Sequence, residues 1–143
     1  MRWLLGIDIH DCPEGLLEAV ARWATAANAT VDLVYADDTP DALQYITEPA
    51  VVRAVTDARN RWIEVHADKL AEVHGQLPEA IRGARIHSLG PPDTVLLEHA
   101  PDYDAIVVAT HGRKGLNRLW LGSVAERIVR ESPVPVLTLR LGS

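Results

Sequence analysis

Two clusters of residues in this chain have types and spacing suited to chemistry. The first is Ala109-Thr110-His111-Gly112, then nine residues, then Gly122-Ser123. An apolar run, Ala105-Ile106-Val107-Val108, precedes it, and a helical pattern over residues 124–130 follows it. A glycine-bearing loop between a strand and a helix N-terminus offers backbone N–H groups and the positive end of the helix dipole to an anion. Arg113, Lys114 and Arg118 lie in this loop, and no acid lies between Ala109 and Ala125. The chemistry this predicts is nucleotide binding through phosphate. The second cluster is Asp8, His10, Asp11 and Cys12, just after the first apolar run. Asp8 falls at the end of that run, where a carboxylate can accept hydrogen bonds from a base or sugar, or cap the following helix.

Several of these residues have two readings. Ser123-Val124-Ala125-Glu126 fits a capping box, with Ser at the N-cap and Glu three positions on. The N–H groups that need a cap are also those that attract an anion. Gly122 permits close backbone approach or a positive φ, and Gly112 falls where a phosphate-facing turn would lie. His111 suits a phosphate or ribose contact, or a structural hydrogen bond. Asp, His and Cys in the first loop are a weak metal pattern, because no second ligand pair accompanies them. No metal site is therefore expected from sequence.

Other chemistries lack their patterns. The chain has no G-x-x-x-x-G-K-[ST] phosphate loop, no G-x-G-x-x-G dinucleotide fingerprint and no G-x-S-x-G nucleophile elbow. No general base stands against a nucleophile, so no catalytic residue is assigned.

The elements that must hold these loops follow from hydrophobic periodicity. Strands are expected over residues 3–9, 30–35, 84–89, 105–109 and 135–140. Helices are expected over 13–28, 50–74, 94–100 and from Ser123 onward. Leu16, Val20, Trp23, Ala24 and Ala27 form one face of helix one, and Val51, Val55, Ala58, Trp62 and Val65 one face of helix two. Pro13 suits a first helical turn, and Asp93 can cap helix three. Residues 37–49 form a polar connection. Pro133 and Pro135 suggest that strand five begins as an edge strand. The β-α alternation predicts one α/β domain over residues 1–143, an open five-stranded parallel sheet with helices on both faces. Ligands of such sheets bind beyond the carboxyl ends of the strands, where strand order reverses. In the common 3-2-1-4-5 order, that point lies between strands one and four.

The bulk properties agree. At 143 residues, with 48% hydrophobic and 24% charged residues, the chain matches one soluble globular domain. A net charge of −6 argues against a general nucleic-acid binder. Cys12 is the only cysteine, which excludes an internal disulfide and suits a reducing compartment. The apolar run at the N-terminus meets Asp8 too early for a signal segment or a membrane span. A cytoplasmic protein is expected.

The chain resembles the universal stress protein (UspA) family along nearly its whole length. The strongest segment is ATHGRKGLNRLWLGSVAERIVRESPVPVLTLR, from Ala109 to Arg140. Nucleotide-binding members carry G-x2-G-x9-G-[ST]. Gly112 and Gly122-Ser123 reproduce its second part, while Ala109 replaces the first glycine. Asp8 and Gly90-Pro91 add to the match, and His10 stands where the family often has Ser. The resemblance implies the 3-2-1-4-5 sheet of a Rossmann-like, adenine nucleotide α-hydrolase-like fold. It places Gly6, Asp8 and Ala36 around adenine, and Val108 and Ala109 along the base and ribose. Gly112, Gly122, Ser123 and Val124 would hold ribose and phosphates, mainly through backbone N–H groups. It also implies ATP as ligand, with Mg2+ bridging phosphates rather than sitting in a protein cage. A homodimer would form through strand five, with Val134, Val136, Leu137 and Leu139 supporting it.

The expected function is a dimeric ATP-binding stress-response sensor or regulator. It is not an enzyme beyond, at most, weak ATP hydrolysis or autophosphorylation, with Ser123 a candidate phosphosite. The alternatives are a stress protein that acts through protein contacts without nucleotide, with an unknown regulatory partner, or a weak ATP hydrolase. Ala109 favours the first of these.

Overall fold

Strands covered on both faces must be apolar nearly throughout, and the short Leu/Val/Ile runs of this chain have that character. The computed structural model describes residues 1–38, 42–111 and 122–141. Among these, five strands alternate with four helices: β1 (Arg2–Gly6), α1 (Leu16–Ala26), β2 (Thr30–Asp37), α2 (Pro49–Gly75), β3 (Arg82–Leu89), α3 (Pro92–His99), β4 (Ala105–His111), α4 (Ser123–Glu131) and β5 (Val136–Leu141). All pairings are parallel, in the order β3-β2-β1-β4-β5. The expected topology is therefore the observed one, with the order reversing between β1 and β4.

Period-two alternation divides the core. Trp3, Leu5, Leu33 and Tyr35 face α1 and α2, where they meet Leu16, Val20, Ala24, Leu70 and Val73. Leu4, Val34, Ile106 and Val108 face the other way, onto Val95 and Leu96 of α3 and Ala125 and Ile128 of α4. Leu4, Leu5, Leu33 and Ile106 are fully buried, each contributing about 1.5–3 kcal/mol relative to exposure.

At the amino ends of the strands, a buried polar cluster fastens the sheet. Asp32 Oδ1 accepts the Ala84 N–H at 2.8 Å; its Oδ2 accepts the Tyr103 hydroxyl at 2.7 Å and Arg2 Nη2 at 3.0 Å. The close approach requires Gly83, because a Cβ there would collide with Asp32 Oδ1 and the Val31 carbonyl. The β2–β3 register shifts at this place, between Val31 and Leu33. Burial alone would push the Asp32 carboxyl up; the hydrogen bonds from Tyr103, Ala84 and Arg2 overcome this and hold it below the usual value. Burial, together with the Asp32 carboxylate, pushes the Tyr103 phenol up to about 12.

Element boundaries differ from the sequence expectations in instructive ways. β1 ends at Gly6 rather than residue 9. Ile7 still donates to the Val34 carbonyl at 3.0 Å, but the Asp8 carboxylate then accepts the His10 N–H at 2.9 Å and turns the chain. α1 starts at Leu16, not Pro13, behind Gly15, whose φ of 81° suits glycine. α3 starts at Pro92 behind Pro91, so Asp93 is not its N-cap residue; its Oδ1 accepts the Thr94 N–H within the first turn at 2.9 Å, and its Oδ2 accepts Arg127 of α4 at 2.9 Å. Trp23 is 53% exposed, and the expected face of α2 is largely uncovered, with Val51, Trp62 and Val65 at 40%, 58% and 54%. The reason is length. The 27 residues of α2 span about 40 Å, well beyond the reach of the eight-residue strand β3 at about 3.3 Å per residue. Only the carboxyl half packs, through His66, Leu70 and Val73.

β5 lies at the sheet edge, as expected. Leu139, however, is buried in this chain's own core, next to α1, so its side chain does not face outward to support a dimer. Val134, Val136 and Leu137 are half-buried.

Candidate functional site

The carboxyl ends of β1, β2 and β4 open into a cavity of about 780 Å³, within the roughly 300–1,000 Å³ of small-molecule sites. It spans the crevice where strand order reverses. Gly6, Ile7 and Asp8 come from the end of β1 and its loop, Ala36 and Asp37 from β2, Val108 and Ala109 from β4. Leu96 of α3 and Val124 and Ala125 of α4 close one side, Leu16 of α1 and His66 of α2 the other.

Seven of the nine residues expected around a nucleotide thus line one space: Gly6, Asp8, Ala36, Val108, Ala109, Gly122 and Val124. Ser123 does not line it, and Gly112 lies outside the described residues, as do Arg113, Lys114 and Arg118. The roles differ from expectation at three positions. Gly6 is a packing residue, since a Cβ there would lie 2.7 Å from Leu96 Cδ1. Gly122 has φ −57°, so it is not needed for a left-handed turn; a Cβ there would meet open space. Gly122, not Ser123, is the N-cap residue of α4. The Ser123–Glu126 capping box is therefore absent: the Glu126 N–H bonds the Gly122 carbonyl at 2.9 Å, and among the described residues no side chain caps the helix. Among the described residues, the first N–H groups of α4 thus stand beside this end of the cavity without a side-chain acceptor.

The opposite end offers backbone of another kind. Past Val34, β2 has no β1 neighbour, because the register ends at Gly6–Val34 and Ile7 makes the last bond. Asp37 faces β3, its carbonyl accepting the Gly90 N–H at 3.0 Å. By the two-residue period, the N–H and C=O of Ala36 face the cavity over the end of β1.

Side chains on this end form a polar aromatic cluster. Asp37 Oδ2 bonds His66 Nδ1 at 2.8 Å and His87 Nε2 at 2.9 Å. Tyr35 and His10 pack edge-on to His66, at centroid distances of 5.6 and 5.0 Å. Burial, with Asp37 and Asp8 nearby, pushes the Tyr35 phenol above its ordinary value, so it keeps its proton. Burial and the carboxylates of Asp11 and Asp8 push the Cys12 thiol up, which makes it a poor nucleophile. Sequence reading missed the Asp37–His66–His87 cluster, because His66 and His87 lie 29 and 50 positions beyond Asp37 along the chain. The only signal was that Asp37 ends an apolar strand on the ligand-binding edge of the sheet.

No helix among the described residues is long and apolar enough to cross a membrane. The Universal stress protein family model matches residues 1–140. A universal stress protein from Thermus aquaticus is 29% identical over 140 residues, covering 96% of each chain. Universal stress protein MJ0531 of Methanocaldococcus jannaschii is 40% identical over 63 residues, a match covering 41% of this chain and 37% of that one. The structure of the protein MJ0577 superposes with a TM-score of 0.74 at 23% identity, covering 99% of this chain and 96% of that one. A universal stress protein in complex with cAMP superposes at 0.52 and 24% identity, covering 99% and 98%. A family member from Arabidopsis thaliana with AMP bound superposes at 0.55 and 17%, covering 100% and 93%. With the fold shared and the family pattern matched almost end to end, this chain belongs to the universal stress protein family.

Proposed function

We propose that this protein binds an adenine nucleotide, ATP with Mg2+ in the first instance, in the crevice between β1 and β4, and acts as a nucleotide-dependent stress-response regulator rather than an enzyme. The observation that carries this is the pairing of two backbone features at opposite ends of one cavity. At one end the uncapped N-terminus of α4 opens on the space beside Gly122. At the other, Ala36 offers a donor and an acceptor side by side over the end of β1. A helix N-terminus suits phosphate, and an adjacent N–H and C=O match the N1 acceptor and N6 donor of adenine. The apolar walls of Val108, Leu96 and Val124 suit a base and exclude water from it. Family members with AMP and cAMP bound support the same ligand class. Gly122, Ser123 and Val124 would hold phosphates through backbone N–H groups. Bound Mg2+ supplies charge neutralisation between phosphate oxygens. Ala109 keeps the backbone N–H of the glycine it replaces.

The regulatory reading rests on membership in the universal stress protein family. A cytoplasmic homodimer through the β5 edge completes the proposal; backbone pairing with a second copy would satisfy that open edge. A second reading, action through protein contacts, is favoured by the exposed Trp62 and Val65 of α2. Calorimetry with ATP and Mg2+, after mass analysis of nucleotide released from purified protein, decides between them. Micromolar binding that Gly122→Val abolishes, with an unchanged melting temperature, supports the nucleotide reading. No heat up to millimolar ATP overturns it in favour of protein contacts.

A further inference from the structure

We propose that Asp37, His66 and His87 form a site for one divalent transition-metal ion, with zinc the ion best suited, and with its open coordination position facing the cavity. The three residues come from three elements: the last residue of β2, the middle of α2, and β3. Their donor atoms, Asp37 Oδ2, His66 Nδ1 and His87 Nε2, lie within 4.8 Å of one another. Their side chains are 3%, 8% and 17% exposed, so water competes weakly for these atoms.

A buried carboxylate with two hydrogen-bonding imidazoles is a satisfied arrangement without a metal. Two features go beyond that. Both imidazoles aim at the same carboxylate oxygen, which makes the three donor atoms converge on one place from three directions. The N2O donor set is that of three-ligand zinc sites, which keep a fourth position for water or substrate. Zinc–donor bonds of about 2.0–2.2 Å would set the donors about 3.3 Å apart. The two nitrogens therefore withdraw slightly from the oxygen as the ion enters between them. In doing so each changes from hydrogen-bond donor to lone-pair donor, a tautomer change that imidazole makes without losing charge.

Asp37 and His66 line the cavity, while Tyr35 and Trp62 pack against the imidazoles, with Tyr35 5.6 and 5.5 Å from the rings of His66 and His87 and Trp62 5.6 Å from His66. Aromatic rings thus flank the imidazoles, and the site meets the cavity at Asp37 and His66. The ion's fourth ligand is water, or a donor atom on the molecule bound in the cavity. This site is distinct from a phosphate-bridging Mg2+, which takes oxygen donors. It lies across the cavity from the N-terminus of α4.

The test needs no nucleotide, so its failure and that of the nucleotide reading are separable. Full-length protein is stripped with chelator and titrated calorimetrically with Zn2+ alone. The expected result is one ion per chain. Affinity should fall in both His66→Gln and His87→Gln by more than the roughly 10–100-fold that loss of an outer-shell partner costs. His99→Gln, remote in sequence, should leave it unchanged. Zn2+ should also raise the melting temperature of the unmodified protein, an effect that Asp37→Asn should remove; this readout survives if a histidine variant fails to fold. Absence of Zn2+ binding by the unmodified protein, or equal binding by all three histidine variants, overturns the proposal.

Discussion

β2 carries two buried aspartates five positions apart, Asp32 and Asp37, and the molecule uses them in opposite ways. Asp32 lies near the amino end of the strand, on the α3/α4 side, and Asp37 at the carboxyl end, on the α1/α2 side. Asp32 is held by a guanidinium, a phenol and a backbone N–H, at the end of β2 away from the cavity. Asp37 is met by two imidazoles and lines the cavity. Burial is nearly the same for both, at 5% and 3% exposure, so burial does not distinguish an anchor from a site. The partners do. Arg2 and the Ala84 N–H can only donate, which fixes Asp32 as a permanent acceptor. Imidazole can donate, accept, or ligate a metal, which leaves Asp37 able to exchange its partners.

The largest expected effect is on stability, and it should separate the two. Asp32→Ala leaves the Tyr103 hydroxyl and the Ala84 N–H buried without their acceptor. A loss of about 3 kcal/mol is expected, or roughly 6–12 °C in melting temperature for a domain of this size. Asp37→Ala, measured without metal or nucleotide, should cost less than half as much, because the vacated space and the His66 imidazole border a cavity that water can enter. Thermal melts of the two variants side by side test this. A larger loss at Asp37 would make that cluster the anchor and break the comparison.

A second effect is the pH dependence of the anchor. The folded-state pKa of Asp32 is lowered, so its stabilising contribution is fully present above the unfolded value of about 3.9 and is lost as pH falls through the lower folded value. The Tyr103 phenol is raised to about 12. Its contribution is present below the unfolded value of about 10 and is lost as pH climbs from there toward the folded value, because the unfolded chain gives up its proton first. Denaturant midpoints measured from neutral pH to pH 12 should therefore decline above pH 10 in the unmodified protein. Tyr103→Phe should cost about 1 kcal/mol at neutral pH and weaken that decline. The same decline in Tyr103→Phe would locate its cause elsewhere.

The sequence made the scaffold legible but not the occupants of its edge. Short apolar runs such as 105–108 are strands because only a sheet covered on both faces buries every side chain, and their alternation with helical patterns leads directly to the crevice between β1 and β4. The family resemblance placed Gly6, Ala36 and Val108 there, and the glycine-bearing loop before a helix pointed to Gly122; all four line the cavity because backbone position follows from the shared topology. What could not be read was side-chain convergence. His66 stands on a helix whose expected apolar face is exposed at Val51, Trp62 and Val65, and nothing in the helical period shows that the helix buries side chains fully only from His66 onward. The Ser123–Glu126 pattern misled for a related reason. A capping box is a local preference, and Gly122 one position earlier takes the N-cap with an extended ψ of 158°. Asp37 was read into the polar connection over residues 37–49, because a charged residue just past an apolar run looks like loop; β2 extends through it.

The smallest expected effect sharpens the comparison most, because it changes charge and donor pattern while keeping shape. At Asp32→Asn the new amide must leave an acceptor toward the Ala84 N–H, so its NH2 faces Tyr103 and Arg2. Tyr103 can rotate its hydroxyl to accept; the Arg2 guanidinium, a donor only, must leave. At Asp37→Asn the amide oxygen can take the place of Oδ2, which both imidazoles face, and both can continue to donate to it. Neither imidazole has to leave. The metal-free stability of Asp37→Asn should thus stay within about 1 kcal/mol of the unmodified protein, and Asp32→Asn should be the less stable of the two in urea titrations at pH 7. Equal losses would mean that His66 and His87 need the charge of the Asp37 carboxylate as much as Arg2 needs that of Asp32. The cluster would then be a second anchor, with no freedom to release Asp37 to a ligand.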